Sequence, residues 1–316
     1  MNSISVFAPA TVANVAVGFD ILGFAVDGIG DKITVFRSDT AGVSIEIVSA
    51  FPDALNIPTD PAKNTAGLPL LQMLAEYKPA FGLGVKIEKG IPLGSGMGGS
   101  AASAVGAVVA ASALLLRNGV FEKPLPFQKL IHFALEGEAV ASGSKHADNV
   151  APCLYGGFTL SYSGEEPQVS AVPYPENLFC VLIHPELRID TKTARGILKT
   201  DLPLKTHIQQ SARLASFILG CATHNFELIR RGLEDVLIEP QRAGLIPGFF
   251  EVKKAAMQAG ALGCSISGAG PAVFALTESL ETAEAARAAM IAAFKISNLP
   301  SRGWVSRIRT VGAQVL

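Results

Sequence analysis

Four short segments carry the residue types that could do chemistry. The first is Pro92-Leu93-Gly94-Ser95-Gly96-Met97-Gly98-Gly99-Ser100-Ala101-Ala102-Ser103, set between a strand-like run and an apolar helical run. Glycines let a backbone approach a ligand closely, and the free N–H groups and dipole of a following helix favour an anion, so this segment reads as a phosphate loop. It is not a Walker A loop, because no Gly-Lys-Ser/Thr follows. Gly94-x-Gly96-x-x-Gly99 also satisfies the dinucleotide fingerprint. That fingerprint wants an acid about 20 residues on for the ribose, and no acidic residue lies between Glu88 and Glu122. A glycine turn without a ligand is the plainer alternative, but the hydroxyls of Ser95, Ser100 and Ser103 are more than a turn requires.

The other three segments are marked by charge in apolar surroundings. From Val6 to Phe24 the only charge is Asp20 and the only amide is Asn14. A carboxylate buried alone is costly, so Asp20 either caps a turn before Gly23 or receives a cation, and no cationic residue lies near it in sequence. Glu138 closes an apolar helical run and is followed by Ser144-Lys145-His146-Ala147-Asp148-Asn149, whose polarity a solvated loop would also explain. If the phosphate loop holds a nucleotide, a hydroxyl and a carboxylate beside it suit Mg²⁺. Ser100 and Glu138 supply that pair if their helices are neighbours. Arg195 and Arg242 carry guanidinium forks that fit carboxylate or phosphate, although each taken singly reads first as a surface salt-bridge residue. Ser265-Ile266-Ser267-Gly268-Ala269-Gly270-Pro271 is a glycine turn between two strand-like runs and carries little by itself.

The elements that must hold these residues follow from periodicity. Ser5–Phe7, Lys32–Phe36, Val43–Val48 and Val85–Glu88 read as strands, the third from its alternation of Val43, Ile45 and Ile47 with polar residues. Helices are expected over Thr65–Glu76, Ser100–Leu116 and Pro126–Val140. Further strands fall at Phe158–Ser161, Phe179–His184, Cys264–Ser267 and Val273–Leu276. The remaining helices fall at Ala194–Lys199, Gln209–His224, Phe226–Arg231, Phe249–Gln258 and Leu280–Phe294. This irregular order predicts an α+β fold, not a βαβ array. Pro, Gly and Glu cluster over 163–177, which predicts two domains, 1–167 and 168–316.

Composition narrows the function classes. The 316 residues carry 26 Lys+Arg against 27 Asp+Glu, so the net charge is −1, with 49% hydrophobic and 17% charged residues. A nucleic-acid binder would show a cationic excess, and a disordered chain low hydrophobicity with high net charge; neither is present. The four cysteines, Cys153, Cys180, Cys221 and Cys264, are too widely spaced for a zinc site or a disulfide framework and suit a reducing cytoplasm. No cation precedes Lys32, so the start of the chain is not expected to be a secretory signal. The uncharged run 90–116 is continuously helix-forming only over 104–116, short of the ~20 residues of a membrane span, which predicts a buried core helix.

Taken jointly, the glycine-serine loop of the form P-x-x-x-G-x-G-x-S-A-A, the N-terminal apolar segment with Asn14 and Asp20, and the late S-G-x-G-P turn resemble the GHMP kinases, a family that includes galactokinase, homoserine kinase and mevalonate kinase. Ala13-Asn14-Val15-Ala16-Val17-Gly18-Phe19-Asp20, the SKHADNVAP segment 144–152, Thr191-Lys192-Thr193-Ala194-Arg195 and Ile238-Glu239-Pro240-Gln241-Arg242 are similar to the homoserine kinase branch. The resemblance runs from about Phe7 past Phe274. It implies an N-terminal domain like ribosomal protein S5 domain 2, a ferredoxin-like C-terminal domain, and ATP-dependent phosphorylation of the side-chain hydroxyl of L-homoserine. It also implies that Pro92–Ala102 wraps the phosphates, that Asn64 lies near the nucleoside, and that Ser100 and Glu138 hold Mg²⁺. By the same resemblance Asp20 takes the substrate ammonium, which makes the ligand its missing partner, while Arg195 and Arg242 clamp the carboxylate. Asn14 and Asn149 would orient the hydroxyl, and His146, Asp148 and Thr191 would line the pocket. A homodimer is implied, with no nucleic-acid or membrane partner. Where the family usually has Ser this chain has Gly99, from which altered nucleotide affinity with retained activity is expected. The alternatives are a mevalonate-type kinase, whose acceptor would leave Asp20 unpaired, and a nucleotide- or amino-acid-binding regulator without catalysis.

Overall fold

The computed structural model describes residues 3–162 and 167–316. The apolar N-terminal segment is the centre of a seven-stranded sheet. Strand β1 (Ser3–Ala13) pairs along its length with β2 (Leu22–Ser38), with a register shift between Pro9 and Thr11. The long β2 then serves two neighbours. Its Lys32–Ser38 half pairs with β4 (Gly82–Lys89), and its Leu22–Phe24 start pairs with β5 (Phe158–Tyr162). Strand β3 (Val43–Ser49) is parallel to β4, β6 (Gln168–Val172) extends from β5, and β11 (Gln314–Val315) closes the β1 edge.

Four helices cover this sheet: α1 (Gly67–Tyr77), α2 (Gly99–Arg117), α3 (Phe127–Ser142) and α4 (Ala147–Tyr155). The alanine-rich α2 packs on β1 and β2, close enough to bury most of its length. By length and composition it could cross a membrane, but 72% of its apolar window is buried inside the protein, as expected of a core helix.

The second sheet has the order β10-β7-β9-β8 and is antiparallel throughout. It is built from β7 (Phe179–Pro185), β8 (Gly263–Ile266), β9 (Val273–Thr277) and β10 (Ser301–Arg307). Helices α9 (Phe249–Gln258) and α10 (Leu280–Ile296) pack together, and both pack on this sheet. The short α5 (Thr191–Gly196) and α8 (Glu239–Arg242) face the site, while α6 (Leu204–Ala222) and α7 (Phe226–Gly232) form a helical hairpin.

The result is the two-domain α+β architecture read from the sequence. The N-terminal sheet recruits β6 and β11 from beyond residue 167, and residues 163–166 of the expected linker lie outside the described residues. An apolar cluster joins the two sheets: Phe24 packs on Phe158 at 4.6 Å between ring centroids and on Phe274 of β9 at 6.1 Å.

Candidate active site

The loop between β4 and α2 opens onto a cleft of about 400 Å³ that also receives residues from the first loop, from α3 and α4, and from the second domain. Gly98, with φ +71°, starts α2 in the left-handed region that glycine tolerates. It has a second reason to lack a side chain: a Cβ there would fall 2.0 Å from Thr11 Oγ1 and 2.8 Å from Asn149 Oδ1. Those two atoms are themselves joined, Thr11 Oγ1 donating to Asn149 Oδ1 at 2.7 Å. Pro92 to Gly96 and Gly98 to Ser100 line the cleft, whereas Met97, Ala101 and Ala102 are fully buried in the core. Of the expected loop residues, those three face away from the cleft because their apolar side chains pack beneath it.

Ser100 Oγ donates to Glu138 Oε2 at 2.7 Å, so α2 and α3 are the neighbours that an anion-and-metal site would need. Burial pushes the Glu138 carboxyl up to about 8, against the hydrogen bond from Ser100. Asp148, in the first turn of α4, is pushed up to about 7 by burial, with the Asp20 charge adding to the shift. Asn64 is buried at the edge of the cleft. Its Oδ1 accepts from the N–H groups of Ala66 and Gly67 at 2.9 and 3.2 Å and its Nδ2 donates to Pro58 O at 2.7 Å, so its polar atoms fix the turn ahead of α1.

Asp20 does have a protein partner, contrary to the expectation that only a ligand would serve. Arg195 meets it in a bidentate pair, Nη1 to Oδ2 at 2.9 Å and Nη2 to Oδ1 at 2.8 Å, and His146 Nδ1 lies 3.5 Å from Oδ2. The pair spans 175 residues of sequence, which is why local inspection finds no cation. Asp190 holds Arg195 in place by capping α5: its Oδ1 accepts from Lys192 N at 2.9 Å and Thr193 N at 3.2 Å. Asp235 does the same for α8 and Arg242, accepting from the N–H groups of Leu237, Ile238 and Glu239. Arg242 donates to the carbonyls of Ala194 at 3.0 Å and Gly268 at 3.1 Å. Both guanidinium groups lie over the Phe19 ring, at 5.3 and 5.1 Å. Burial lowers the His146 pKa, opposed by Asp20 and reinforced by Arg195. Thr191 lines the same cleft.

The first loop is tied to the second domain. Residues 14, 15 and 16 all have positive φ, of 69°, 44° and 59°, a run of left-handed conformations costly for non-glycine residues. Asn14 holds it, its Nδ2 donating to Gly268 O at 2.8 Å and its Oδ1 accepting from Asp20 N at 3.1 Å. Ser267 Oγ donates to Gly96 O at 2.7 Å and Ala272 N to Ser95 O at 3.0 Å, so the S-G-A-G-P turn is a brace between the phosphate loop and the first loop.

Sequence reasoning missed Asp31 and Lys89. They form an ion pair with both side chains essentially inaccessible. Lys89 Nζ also donates to Gly99 O at 2.9 Å and Ser103 Oγ at 3.1 Å, and Asp31 Oδ1 accepts from the N–H groups of Gly90 and Ile91. The strand register hid them. Neighbouring Lys32 and Glu88 pair on the solvent side, and the four charges together read as a surface run.

A phosphate-type loop at a helix start, a charged subsite facing it and a cleft between two α+β domains define a GHMP kinase. The GHMP kinase N-terminal domain family matches residues 65–157 and the C-terminal family residues 217–296. The chain is 45% identical to a homoserine kinase of Chlorobium phaeovibrioides over the whole of both chains. It is 46% identical to one of Xylella fastidiosa over 98% of this chain and 93% of the relative. The crystal structure of a homoserine kinase from Cytophaga hutchinsonii superposes with a TM-score of 0.94 at 44% identity, covering 100% of this chain and 98% of that one. The chain belongs to the homoserine kinase family of the GHMP kinases.

Proposed function

We propose that the protein transfers the γ-phosphoryl group of ATP to the side-chain hydroxyl of L-homoserine, giving O-phospho-L-homoserine for threonine synthesis. The observation that carries the reading is the Asp20–Arg195 pair, seated with Arg242 in the cleft that the glycine loop opens onto. A zwitterion can enter such a pair without leaving a charge unmatched: its ammonium replaces Arg195 at Asp20, and its carboxylate replaces Asp20 at Arg195. An acceptor with no amino group would break the pair and leave Asp20 uncompensated, which is costly in a part-buried site.

Phosphoryl transfer depends on positioning and charge neutralisation through a loose transition state. The loop N–H groups and the α2 N-terminus would bind the phosphates. Ser100 and Glu138 fit Mg²⁺, since a hydroxyl joined to a buried carboxyl is a hard-oxygen donor set beside the phosphate loop; the metal would supply neutralisation of phosphate charge. Asn149 keeps its Nδ2 hydrogens for the acceptor hydroxyl, while Asn14 acts chiefly by holding the Asp20 loop to Gly268. A second reading of the proton's destination has Asp148 accept it, favoured by a carboxyl that burial lifts to about 7, near an operating pH. Four buried, unpaired cysteines support a cytoplasmic setting. Exposed Leu204, Ile208 and Leu219 on one face of α6 support a homodimer, which sedimentation would check.

The test is one coupled ADP-release assay with ATP, Mg²⁺ and, in turn, L-homoserine, mevalonate and galactose. Turnover confined to homoserine is expected. No turnover on homoserine, with turnover on mevalonate or the sugar, would overturn the proposal.

A further inference from the structure

The cleft is lined by the cations Lys63, Lys89, Arg188, Arg195 and Arg242, and all but one have a partner. Lys63 pairs with Asp60, Lys89 with Asp31 and Arg195 with Asp20, while Arg242 donates to two carbonyls. Among the described residues the Arg188 side chain has no hydrogen-bond or ion-pair partner. It is not a side chain drifting in solvent. It lies across the phosphate loop, so close that a Cβ on Gly94 would fall 2.6 Å from its Cγ and 3.1 Å from its Nε. The next residue anchors the backbone there, Ile189 N donating to Gly94 O at 3.3 Å. Arg188 therefore reaches the loop from the second domain, on the segment that leads from β7 into α5.

We propose that Arg188 is a nucleotide-binding residue whose guanidinium contacts the polyphosphate chain of ATP, adding a charged donor from the second domain to the neutral N–H groups of the loop. A planar fork is suited to two phosphate oxygens, and phosphoryl transfer gains from every cation fixed beside the phosphates before reaction. The amino-acid carboxylate is the competing ligand for an arginine here. Arg195 and Arg242 already flank Asp20 over the Phe19 ring, however, whereas Arg188 lies against Gly94 at the loop. Gly99 offers the phosphates no side-chain hydroxyl, and Arg188 supplies a charged donor beside the same loop.

The inference rests on the nucleotide-kinase reading, so its test uses nucleotide binding without an acceptor. Dissociation constants for Mg²⁺-ATP and for adenosine would be measured by calorimetry on the wild type, Arg188→Met and Arg188→Lys, followed by the KM for homoserine. Arg188→Met should weaken ATP roughly 10- to 100-fold and adenosine less than about twofold, with the homoserine KM unmoved. Arg188→Lys should recover part of the loss. ATP affinity unaltered in Arg188→Met would overturn the inference, as would equal losses for ATP and adenosine, or a rise confined to the homoserine KM. A wild type that does not bind ATP would overturn the kinase reading and this inference together. Arg188 is exposed, so both variants should fold.

Discussion

Arg195 pairs with Asp20 and acts through its charge on His146, so removing it should be visible in both binding and titration. Arg195→Ala should raise the KM for homoserine by about 10- to 100-fold while leaving that for ATP nearly unchanged, since it deletes one charge-assisted contact. It should also move His146. Burial and the positive charge of Arg195 hold that imidazole's pKa down, and Asp20 alone pulls it up. Without Arg195 the opposing charge is gone and Asp20 is left facing the ring 3.5 Å away, so the pKa should rise. An NMR titration of His146 in the variant checks this; an unshifted or lower value would mean that Asp20 finds another cation. At this scale the sequence was informative where a charge stood alone. Asp20 and Glu138 stand out against apolar neighbours, Arg195 and Arg242 only through the resemblance of their segments, and the structure brings all four to one cleft. Phe19 and Arg188 did not stand out, because an aromatic residue in an apolar run and an arginine in a loop are ordinary until the fold sets them against a ligand site.

The contact between α2 and α3 makes a prediction about pH. Folding raises the Glu138 carboxyl from its ordinary 4.5 to about 8, so above 4.5 the native state keeps a proton that the unfolded chain has released. Its contribution to stability is complete below 4.5 and is lost as the pH rises to 8. Asp148, raised from 3.8 to about 7, acts in the same direction over a slightly lower window. Thermal unfolding across pH 5 to 8 should therefore fall less steeply for Glu138→Gln than for the wild type; parallel curves would show that the carboxyl is not held protonated. The ion pair beneath the loop works differently. Lys89→Met leaves Asp31 buried without its cation and should cost about 3–5 kcal/mol, read by denaturant unfolding, whereas a simultaneous change of Asp31 to Asn should restore part of that. Among the elements, α9 is found over the residues expected, and the strand–loop–helix around the phosphate site lies where the apolar runs placed it. Five others escaped: β6, which lies inside the stretch expected to be a linker, the single-turn α8, and three whose concealment has a plain cause. In α4 an internal Pro152 reads as a break, yet the helix passes through it. In β10, Arg302 and Arg307 obscure the pattern, because it is an edge strand secured by backbone pairing with β7. In β11 only two residues pair, too few for any period to show.

At the scale of the whole molecule, the question is whether two domains behave as one. Intrachain interfaces that are small and polar permit relative motion, and large apolar ones resist it. Here one continuous core runs from β1 and α2 through Phe24 and Phe158 to Phe217 of α6 and Phe274 of β9, while a second, under α9 and α10, belongs to the C-terminal sheet alone. The polar brace at Gly96, Ser267 and Asn14 closes the same joint from the cleft side. The N-terminal sheet also draws β11 from the far end of the chain, so the N-terminal half does not complete its fold without the C-terminal one. Calorimetry should therefore show a single unfolding transition for the free protein. Phe274 is fully buried at the joint. Phe274→Ala removes its ring from the packing between the sheets and should cost about 3–5 kcal/mol. Its effect on cooperativity discriminates further: if the shared core couples the halves, the variant should broaden the transition or resolve it into two, with the component that Mg²⁺-ATP shifts upward reporting the phosphate loop. Two separate transitions in the wild type would mean that the apolar joint does not couple the domains. The cleft would then rely on its hydrogen bonds alone to keep Arg188 over the loop and Arg195 against Asp20.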